Sequence, residues 1–437
     1  MMIRTISSLQ RSFPKRVCIF FLLIFSFSSV FAQTYDRWYR TDDMVFKMAV
    51  YGASDEIFIW WGHAALIMEH TRWHYSWVFD WGIFTYPSDN FLKEFINDQV
   101  QYMCESSFLN FDFYIEEDRD ITIYTLDLDR DAKEAILAYA EDNVLMENRY
   151  YDYHEFKENC STRIRDILNL GTGGQLKAAF DSVPGRMSLR QHVQRYTWFR
   201  PLSNWFAGFL MGQDLDRQIT PWDEMFIPVE IARNIVDFSY IDSTGAERRL
   251  VSSVEVINSS KTRPPIINEP LVIWPYTLGL GLLVAAFFLY VTHLSKKYPR
   301  TGRIFLSVSQ ALLGLFLGVS GCVLFLGLFL MNNDYIQQNI NILFINPLLL
   351  LTVPLGIMTA INKPSRILPI RGAISPERCL RFIWTGVFFL CCISMLAWIL
   401  PFFNQQNQSV VFMITPVAFS LSLVPDQLTK LQRVDNN

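Results

Sequence analysis

Hydrophobic and polar positions divide the chain into two parts of different character. Up to about residue 270, short apolar stretches alternate with charged and turn-forming residues, which is typical of a mixed α+β domain. Beyond that point, long apolar runs lie at residues 271–294, 304–331, 342–361 and 382–403. Each run reaches the roughly 20 residues that a helix needs to cross a bilayer. A shorter run at 410–424 makes about five transmembrane helices in an all-α bundle.

The N-terminus has the three parts of a secretory signal peptide. Basic residues come first, an apolar stretch follows at Val17–Val30, and Val30-Phe31-Ala32 places small side chains around a cleavage site. We therefore expect residues 1–32 to be a signal peptide and residues 33–270 to be exported. No cysteine follows the site, so the sequence does not predict a lipoprotein. An uncleaved anchor helix is the alternative.

Basic residues alternate between the loops of the apolar region. Lys and Arg occur in loops 295–303 and 362–381 and in the tail 425–437, whereas loops 332–341 and 404–409 contain none. The positive-inside rule places the basic loops and the tail in the cytoplasm. Five crossings then put residues 33–270 outside, in agreement with the signal peptide. We predict a multi-pass protein of the bacterial inner membrane with a periplasmic domain and a cytoplasmic tail.

The composition and charge of the chain exclude several classes of partner and binding site. The chain has 437 residues, which is enough for two parts that each bury a core, and a formal net charge of −4. An acidic balance argues against nucleic acid as a main partner. The sequence contains no Gly-rich phosphate loop and no zinc-type spacing of Cys and His, and it implies no cofactor and no metal.

Cys160 stands at the predicted start of a helix. In the stretch CSTRIRDILNLG the apolar residues have helical spacing, Asn159 is a plausible N-cap and Gly171 a stop. The partial positive charge at a helix N-terminus lowers the pKa of a thiol, and its free N–H groups can hold an oxyanion, together with Asn159. A disulfide with Cys104 is the alternative, because both cysteines would lie in an oxidising compartment.

His63 is the best candidate for a base among the histidines of the exported part, which are His63, His70, His74, His154 and His192. It lies in WGHAAL, on a predicted strand of apolar and aromatic residues, where an ionisable group seldom occurs without a purpose. A satisfied core histidine is the alternative. A third residue would orient the base, and Asp80 on the next predicted strand offers a carboxylate. Asp80 can equally be a polar residue at a strand end.

Several motifs in one order resemble the N-terminal domain of the Lnb-type lipoprotein N-acyltransferases of Bacteroidota. Those proteins follow that domain with a bundle of membrane helices, and the stretch NINILFINPLLLL resembles the start of one of their spans. The motifs that carry the resemblance are YGASDEIFIWWGHAALIM, WVFDWGIFTYPSDNFLKEF, YYDYHEFKENCSTRIRD and RQHVQRYTWFRPLSNWFAGFLMGQDLDRQITPWDEMFIP.

This resemblance implies a permuted papain-like thiol-enzyme domain, with histidine before cysteine, as in the lecithin:retinol acyltransferases. It implies that Cys160 is the nucleophile and His63 the base. At Asp80 the family often has an amide in a YNYG-like motif, where this chain has FDWG, so the third role is open. The implied partners are a membrane phospholipid as acyl donor and diacylated lipoproteins as acceptors.

Two other functions remain open at this point. A membrane-anchored papain-like peptidoglycan peptidase or amidase would use the same Cys-His pair, and a non-catalytic binding protein would need neither. Residues 197–211, TWFRPLSNWFAGFLM, are rich in Trp and Phe. They suit either a segment in the headgroup zone of the membrane or an ordinary core helix.

Overall fold

The computed structural model describes residues 41–56, 59–83, 94, 100–331, 335–361, 375–400, 403 and 405–424. The predicted signal peptide and cytoplasmic tail lie outside these residues. Residues 88–98, SDNFLKEFIND, whose apolar spacing predicts a helix with Ser88 as its N-cap, also lie outside them, apart from Glu94. The described chain is a sheet-rich domain followed by a helical region, which confirms the predicted α+β class.

The domain is built on an antiparallel sheet of seven strands in the order β6-β4-β3-β2-β1-β5-β9. A separate hairpin is formed by β7 and β8. The strands are β1 Met44–Tyr51, β2 His63–His70, β3 Tyr75–Ile83, β4 Gln101–Phe108, β5 Ile121–Leu126, β6 Tyr150–Asp152, β7 Ser239–Ile241, β8 Glu247–Arg249 and β9 Val251–Asn258. The central strands β2 and β1 are therefore flanked on both sides, and they carry the most buried residues.

Two strands begin later than the apolar pattern predicts. The stretch EIFIWWGHAALIME predicts a strand with a possible turn or bulge at Gly62, and the chain does break there: Gly62 has a φ of +84° and β2 begins at His63. A side chain at Gly62 would also collide with the carbonyl of Tyr51. Likewise β3 begins at Tyr75 rather than before Trp73, since His74 occupies a turn with a φ of +52°.

Helices cover one face of the sheet and enclose the larger core. The domain helices are α1 Asp112–Glu116, α2 Arg130–Asn143, α3 Cys160–Gly171, α4 Gln175–Phe180, α5 Leu189–Thr197, α6 Pro201–Leu210, α7 Pro221–Glu224 and α8 Pro228–Ile235. The core joins inward residues of β1 and β2 to the apolar sides of α2, α3 and α8. The opposite face of the sheet buries a smaller cluster that is covered by Leu109, Phe111 and Tyr114.

Among the residues that the structure describes, the helical region has four segments long and apolar enough to cross a membrane: Trp274–Leu294, Pro299–Leu330, Ile340–Ile361 and Pro376–Ala397. They correspond to the first four predicted spans, with ends shifted by several residues. The α-helices are α9 Trp274–Leu294, α10 Pro299–Leu330, α11 Thr352–Ile361, α12 Pro376–Ala397 and α13 Gln408–Ser422. A fifth span stays a prediction, because α13 has only 15 residues.

The third segment is irregular in its first half, and glycines of α10 make room for it. It begins as two short 3₁₀ turns, Ile340–Leu343 and Pro347–Leu351, before α11 starts. A Cβ on Gly321 would overlap the backbone of Asn346, and one on Gly318 would lie 2.8 Å from Leu350. Small residues therefore allow the backbones to approach closely, as in many membrane helix pairs.

Neutral amides join the domain to the helical region. The Asn339 amide donates to the carbonyls of Phe209 and Leu210, both at 2.9 Å, at the end of α6. The Gln405 amide donates to the carbonyl of Met211 at 2.9 Å and to Asn339 Oδ1 at 3.0 Å. This amide network ties α6 to the beginning of the third segment and to the residues that precede α13.

Candidate active site

Cys160 is the first residue of α3, and side-chain caps fix the start of this helix. Asn159 Oδ1 accepts a hydrogen bond of 2.9 Å from the backbone N–H of Thr162, and Thr162 Oγ1 accepts one of 2.7 Å from the N–H of Asn159. This reciprocal capping box confirms the predicted N-cap. It leaves the first-turn N–H groups of Cys160 and Ser161 with no acceptor among the described residues.

The Asn159 side chain is a structural cap and cannot act as an oxyanion donor. Its amide nitrogen donates to the carbonyls of Glu155, at 2.7 Å, and Phe226, at 3.0 Å. Both amide hydrogens are thus used, which corrects the expectation that Asn159 would help to hold an oxyanion. The donors left at this helix start are the backbone N–H groups of Cys160 and Ser161.

His63 reaches Cys160 from the first position of the central strand β2. The pairing of β2 with β3 places Ala65 opposite Asp80, so the side chains of His63 and Asp80 meet at the ends of neighbouring strands. His63 Nε2 lies 2.9 Å from Asp80 Oδ1, and the two side chains are only 17% and 16% exposed. Since Asp80 takes Nε2, the other ring nitrogen is left for Cys160. The structure therefore brings Cys160, His63 and Asp80 together.

Electrostatic coupling favours a thiolate–imidazolium pair. Burial alone lowers the pKa of His63, but the charge of Cys160 and hydrogen bonds with Asp80 and Cys160 outweigh it and raise that pKa to about 10. Burial raises the pKa of Cys160, yet the charge and hydrogen bond of His63, with hydrogen bonds from the Ala64 N–H and the Ser161 hydroxyl, lower it overall. A thiol with a lowered pKa is ionised more readily than an ordinary thiol and is a better nucleophile at a given pH.

Aromatic side chains and one glycine shape the space around the pair, and the sequence did not single them out. The Tyr51 ring stacks near the His63 ring, with centroids 5.9 Å apart. Gly82 has a φ of +88°, and a Cβ there would lie 3.6 Å from Cys160 Cβ and 3.7 Å from the Tyr153 ring. The pairing of Tyr51 with His63 in the β1–β2 ladder is the signal that could have identified Tyr51, but it requires the strand register.

The alternative disulfide is not formed, since Cys104 and Cys160 are both free thiols. Cys104 is buried on β4, and burial raises its pKa to about 12. It therefore behaves as a small core residue. Within the described ranges, no three His, Cys, Asp or Glu side chains are grouped so that they could hold a metal ion.

Comparison with known families gives a match over the part of the chain that contains the sheet and the Cys-His pair. The family model described as the Lnb N-terminal periplasmic domain matches residues 32–195. The N-terminal domain belongs to the Lnb-type family. The match runs from before β1 into α5, so it includes His63, Asp80 and Cys160. No curated protein and no solved structure matches the chain.

The Lnb-type domain therefore precedes a helical region outside the matched residues. The chain combines a domain of a periplasmic type with four helices long and apolar enough to cross a membrane. Asp80 lies on β3, next to the strand of His63, at the position where the family that the motifs resemble often has an amide. Its carboxylate makes the hydrogen bond to the imidazole that an amide oxygen at the same position would also make.

Proposed function

We propose that this protein is a lipoprotein N-acyltransferase of the bacterial inner membrane. It moves an acyl chain from a membrane phospholipid, through a thioester on Cys160, to the α-amine of a diacylglyceryl-cysteine. The observation that carries the proposal is the Cys160–His63–Asp80 arrangement inside an Lnb-type domain that is joined to apolar helices. In this proposal the helical region is a multi-pass anchor and the domain works on the periplasmic side.

The first half of the reaction forms the thioester. The Cys160 thiolate attacks the ester carbonyl carbon of the phospholipid, and the N–H groups of Cys160 and Ser161 stabilise the tetrahedral oxyanion. The carbon–oxygen bond to glycerol then breaks, and protonated His63 gives its proton to the departing oxygen. A lysophospholipid leaves and the acyl chain stays on the sulfur.

The second half transfers the chain to the acceptor. The neutral α-amine of the diacylglyceryl-cysteine attacks the thioester carbonyl, and neutral His63 takes the proton that the amine loses. The carbon–sulfur bond breaks and returns the thiolate, which restores the ion pair with His63. Conversion of a thioester into an amide is downhill, so the transfer needs no ATP. Asp80 keeps the imidazole oriented through both halves.

The mass of the N-terminal lipopeptide of a resident lipoprotein tests this proposal. In cells that depend on this protein, wild type should give triacylated peptide, and Cys160→Ser should give only the diacylated form. A serine hydroxyl keeps the size of the thiol but its pKa is far too high for ionisation here. Cys104→Ala, which removes the other thiol of the domain, is the matched control and should leave triacylation intact.

Two results would overturn the proposal in different ways. Full triacylation by folded Cys160→Ser protein would exclude the thioester route. Normal lipoproteins together with altered muropeptides in cells without the protein would instead favour the peptidoglycan peptidase. Membrane fractionation and immunoblotting of each variant show that the protein is present and inserted.

A further inference from the structure

Helix α6 has three faces with different surroundings. The first face meets the domain, where Asn204 donates to the carbonyl of Gln194 at 2.8 Å and the carbonyl of Gly208 accepts from Arg190. The second face carries Trp205 and Phe209, whose rings are stacked with centroids 5.8 Å apart. Phe209 belongs to the apolar cluster of the helical region, and Trp205 packs against it.

The third face of α6 is apolar and open. Leu202 is 85% exposed and Phe206 is 45% exposed, and they stand one helical turn apart. The helix contains no charged residue. An exposed apolar face on a helix that is already fixed on its other two sides marks an interaction surface.

The position of α6 indicates which surface covers this face. Its C-terminal carbonyls accept from Asn339 and Gln405, which stand just before the apolar parts of the third segment and of α13. Gly212 donates to the carbonyl of Tyr335 at 2.8 Å, in the same connection between α10 and the third segment. The end of α6 is thus level with the C-terminal end of α10 and with the beginnings of the third segment and of α13, which is where the lipid headgroups of a bilayer would begin.

We propose that α6 lies in the outer lipid leaflet as an interfacial helix, with Leu202 and Phe206 inserted among the acyl chains. Of the two interpretations of residues 197–211, this one explains why the third face of α6 is apolar and exposed although the other two faces already contact the domain and the helical region. Helices of this kind bury their apolar face at the boundary of headgroups and chains.

This placement also brings the Cys160–His63 pair towards the membrane surface. Phe199, just before α6, contacts Trp60 in the loop that leads to His63, with ring centroids 5.6 Å apart. Tyr335 contacts Phe156 in the loop that leads to Cys160, with centroids 5.4 Å apart. Both loops that present the pair therefore rest on segments at the headgroup level. That a lipid ester is the substrate rests on the proposed function, whereas the insertion of α6 does not.

Photocrosslinking tests the insertion directly. The full chain, with the photoreactive p-benzoylphenylalanine in place of Leu202 or of Phe206, is reconstituted in vesicles of phosphatidylethanolamine and phosphatidylglycerol and irradiated. We expect covalent phospholipid adducts by mass spectrometry at both positions. The matched control is the same photoreactive residue at Ile241, which is 50% exposed. The carbonyl of Ile241 accepts a hydrogen bond from Gln175, which follows the C-terminal end of α3, whereas Cys160 is at the N-terminal end. Since α3 is about 18 Å long, position 241 should lie away from the membrane surface and give at least about tenfold less adduct.

Three outcomes would overturn the proposal: no lipid adduct at 202 and 206, equal adduct at 241, or a crosslink to a second protein chain. The readout needs no activity, so it is independent of the reaction. A second experiment tests whether the insertion of α6 is needed for the proposed acyl transfer. Leu202→Asp with Phe206→Asp should slow acyl transfer from vesicles at least tenfold while a water-soluble thiol reagent still alkylates Cys160 at the wild-type rate. Lipid adducts in the photoreactive variants together with no acyl transfer by the wild type would support the insertion and overturn the proposed function instead.

Discussion

The site and the helical bundle are held together by opposite means. At the site, each side chain contributes specific polar atoms: Asn159 caps α3, Asp80 orients His63, and His63 lowers the pKa of Cys160. In the bundle, the close approach of α10 and the third segment depends on side chains that are missing, at Gly318 and Gly321. The difference teaches that reactivity and stability reside in different parts of this chain. Substitutions should separate the two properties.

The largest separation is expected at His63. In His63→Ala, Cys160 loses the charge and hydrogen bond that lower its pKa, so alkylation by iodoacetamide at pH 7 should slow about 30-fold or more, because an ordinary thiol is only a few per cent ionised there. Timed alkylation followed by peptide mass spectrometry measures the rate. His74→Asn is the control, since it changes an exposed histidine to a residue that tolerates its positive φ. An unchanged rate in His63→Ala would show that the pair is not coupled.

The pH dependence of the same reaction should be unusual. The pKa of Cys160 is lowered, and His63, with a pKa raised to about 10, stays protonated up to that pH. The alkylation rate of wild type should therefore rise less between about pH 6.5 and about pH 9 than the rate of an ordinary thiol, which gains more than tenfold over this range. Acyl transfer should fall above about pH 10, where His63 loses the proton for the leaving group. A rate that climbs as steeply as that of an ordinary thiol would contradict the ion pair.

Asn159 should be the exception that affects both properties. Asn159→Ala removes the cap and leaves the carbonyls of Glu155 and Phe226 without their donor, so unfolding should become easier by about 1–3 kcal/mol. The start of α3 should also shift and slow Cys160 alkylation. Ser188→Ala, which removes the equivalent cap of α5, is the matched control. Ser188→Ala should lower the thermal midpoint of unfolding but leave the alkylation rate of Cys160 unchanged. Equal effects of the two variants on alkylation would contradict the role of Asn159 in positioning Cys160.

The bundle should show the reverse behaviour. Gly321→Ala forces a methyl group into the backbone of Asn346 and should cost about 1–3 kcal/mol of stability, while the alkylation rate at Cys160 stays unchanged. Thermal unfolding in detergent measures the loss. Gly386→Ala in α12 is the control, since nothing lies within 4 Å of its Cβ position. If both variants are equally stable, close packing at Gly321 does not hold the third segment in place.

The smallest effect is expected at Asp80. Asp80→Asn keeps an oxygen that accepts from His63 but removes a charge that raises the pKa of His63, so the upper limb of the pH profile should move to lower pH. We expect a rate loss of about tenfold or less, since one pKa unit corresponds to 1.36 kcal/mol. Asp80→Ala removes the acceptor as well and should lose more. Equal losses would mean that the charge alone matters.

How far the sequence predicted this molecule depended on the range of the interactions involved. Local signals were sufficient for the cap at Asn159, the helix that starts at Cys160 and the apolar segments. They were insufficient where distant residues decide the outcome. The start of β2 depends on the contact between Gly62 and Tyr51, and the amide of Asn159 is used up by Phe226, which is 67 residues away. The irregular third segment requires the glycines of α10, which no property of its own residues indicates.

The amide network between α6 and the helical region also has an evolutionary consequence. The carbonyls of Phe209, Leu210 and Met211 are satisfied by Asn339 and Gln405, more than a hundred residues later in the chain. A recombination event that moved the domain onto a different anchor would leave the carbonyls of Phe209 and Leu210 without their amide donors and would uncover the Trp205–Phe209 pair, whereas the carbonyl of Met211 would keep its hydrogen bond from Arg190. Selection should therefore keep the domain and the helical region together in one gene. A shortened domain that is to be expressed alone would first need substitutions on the surface of α6 that contacts the helical region.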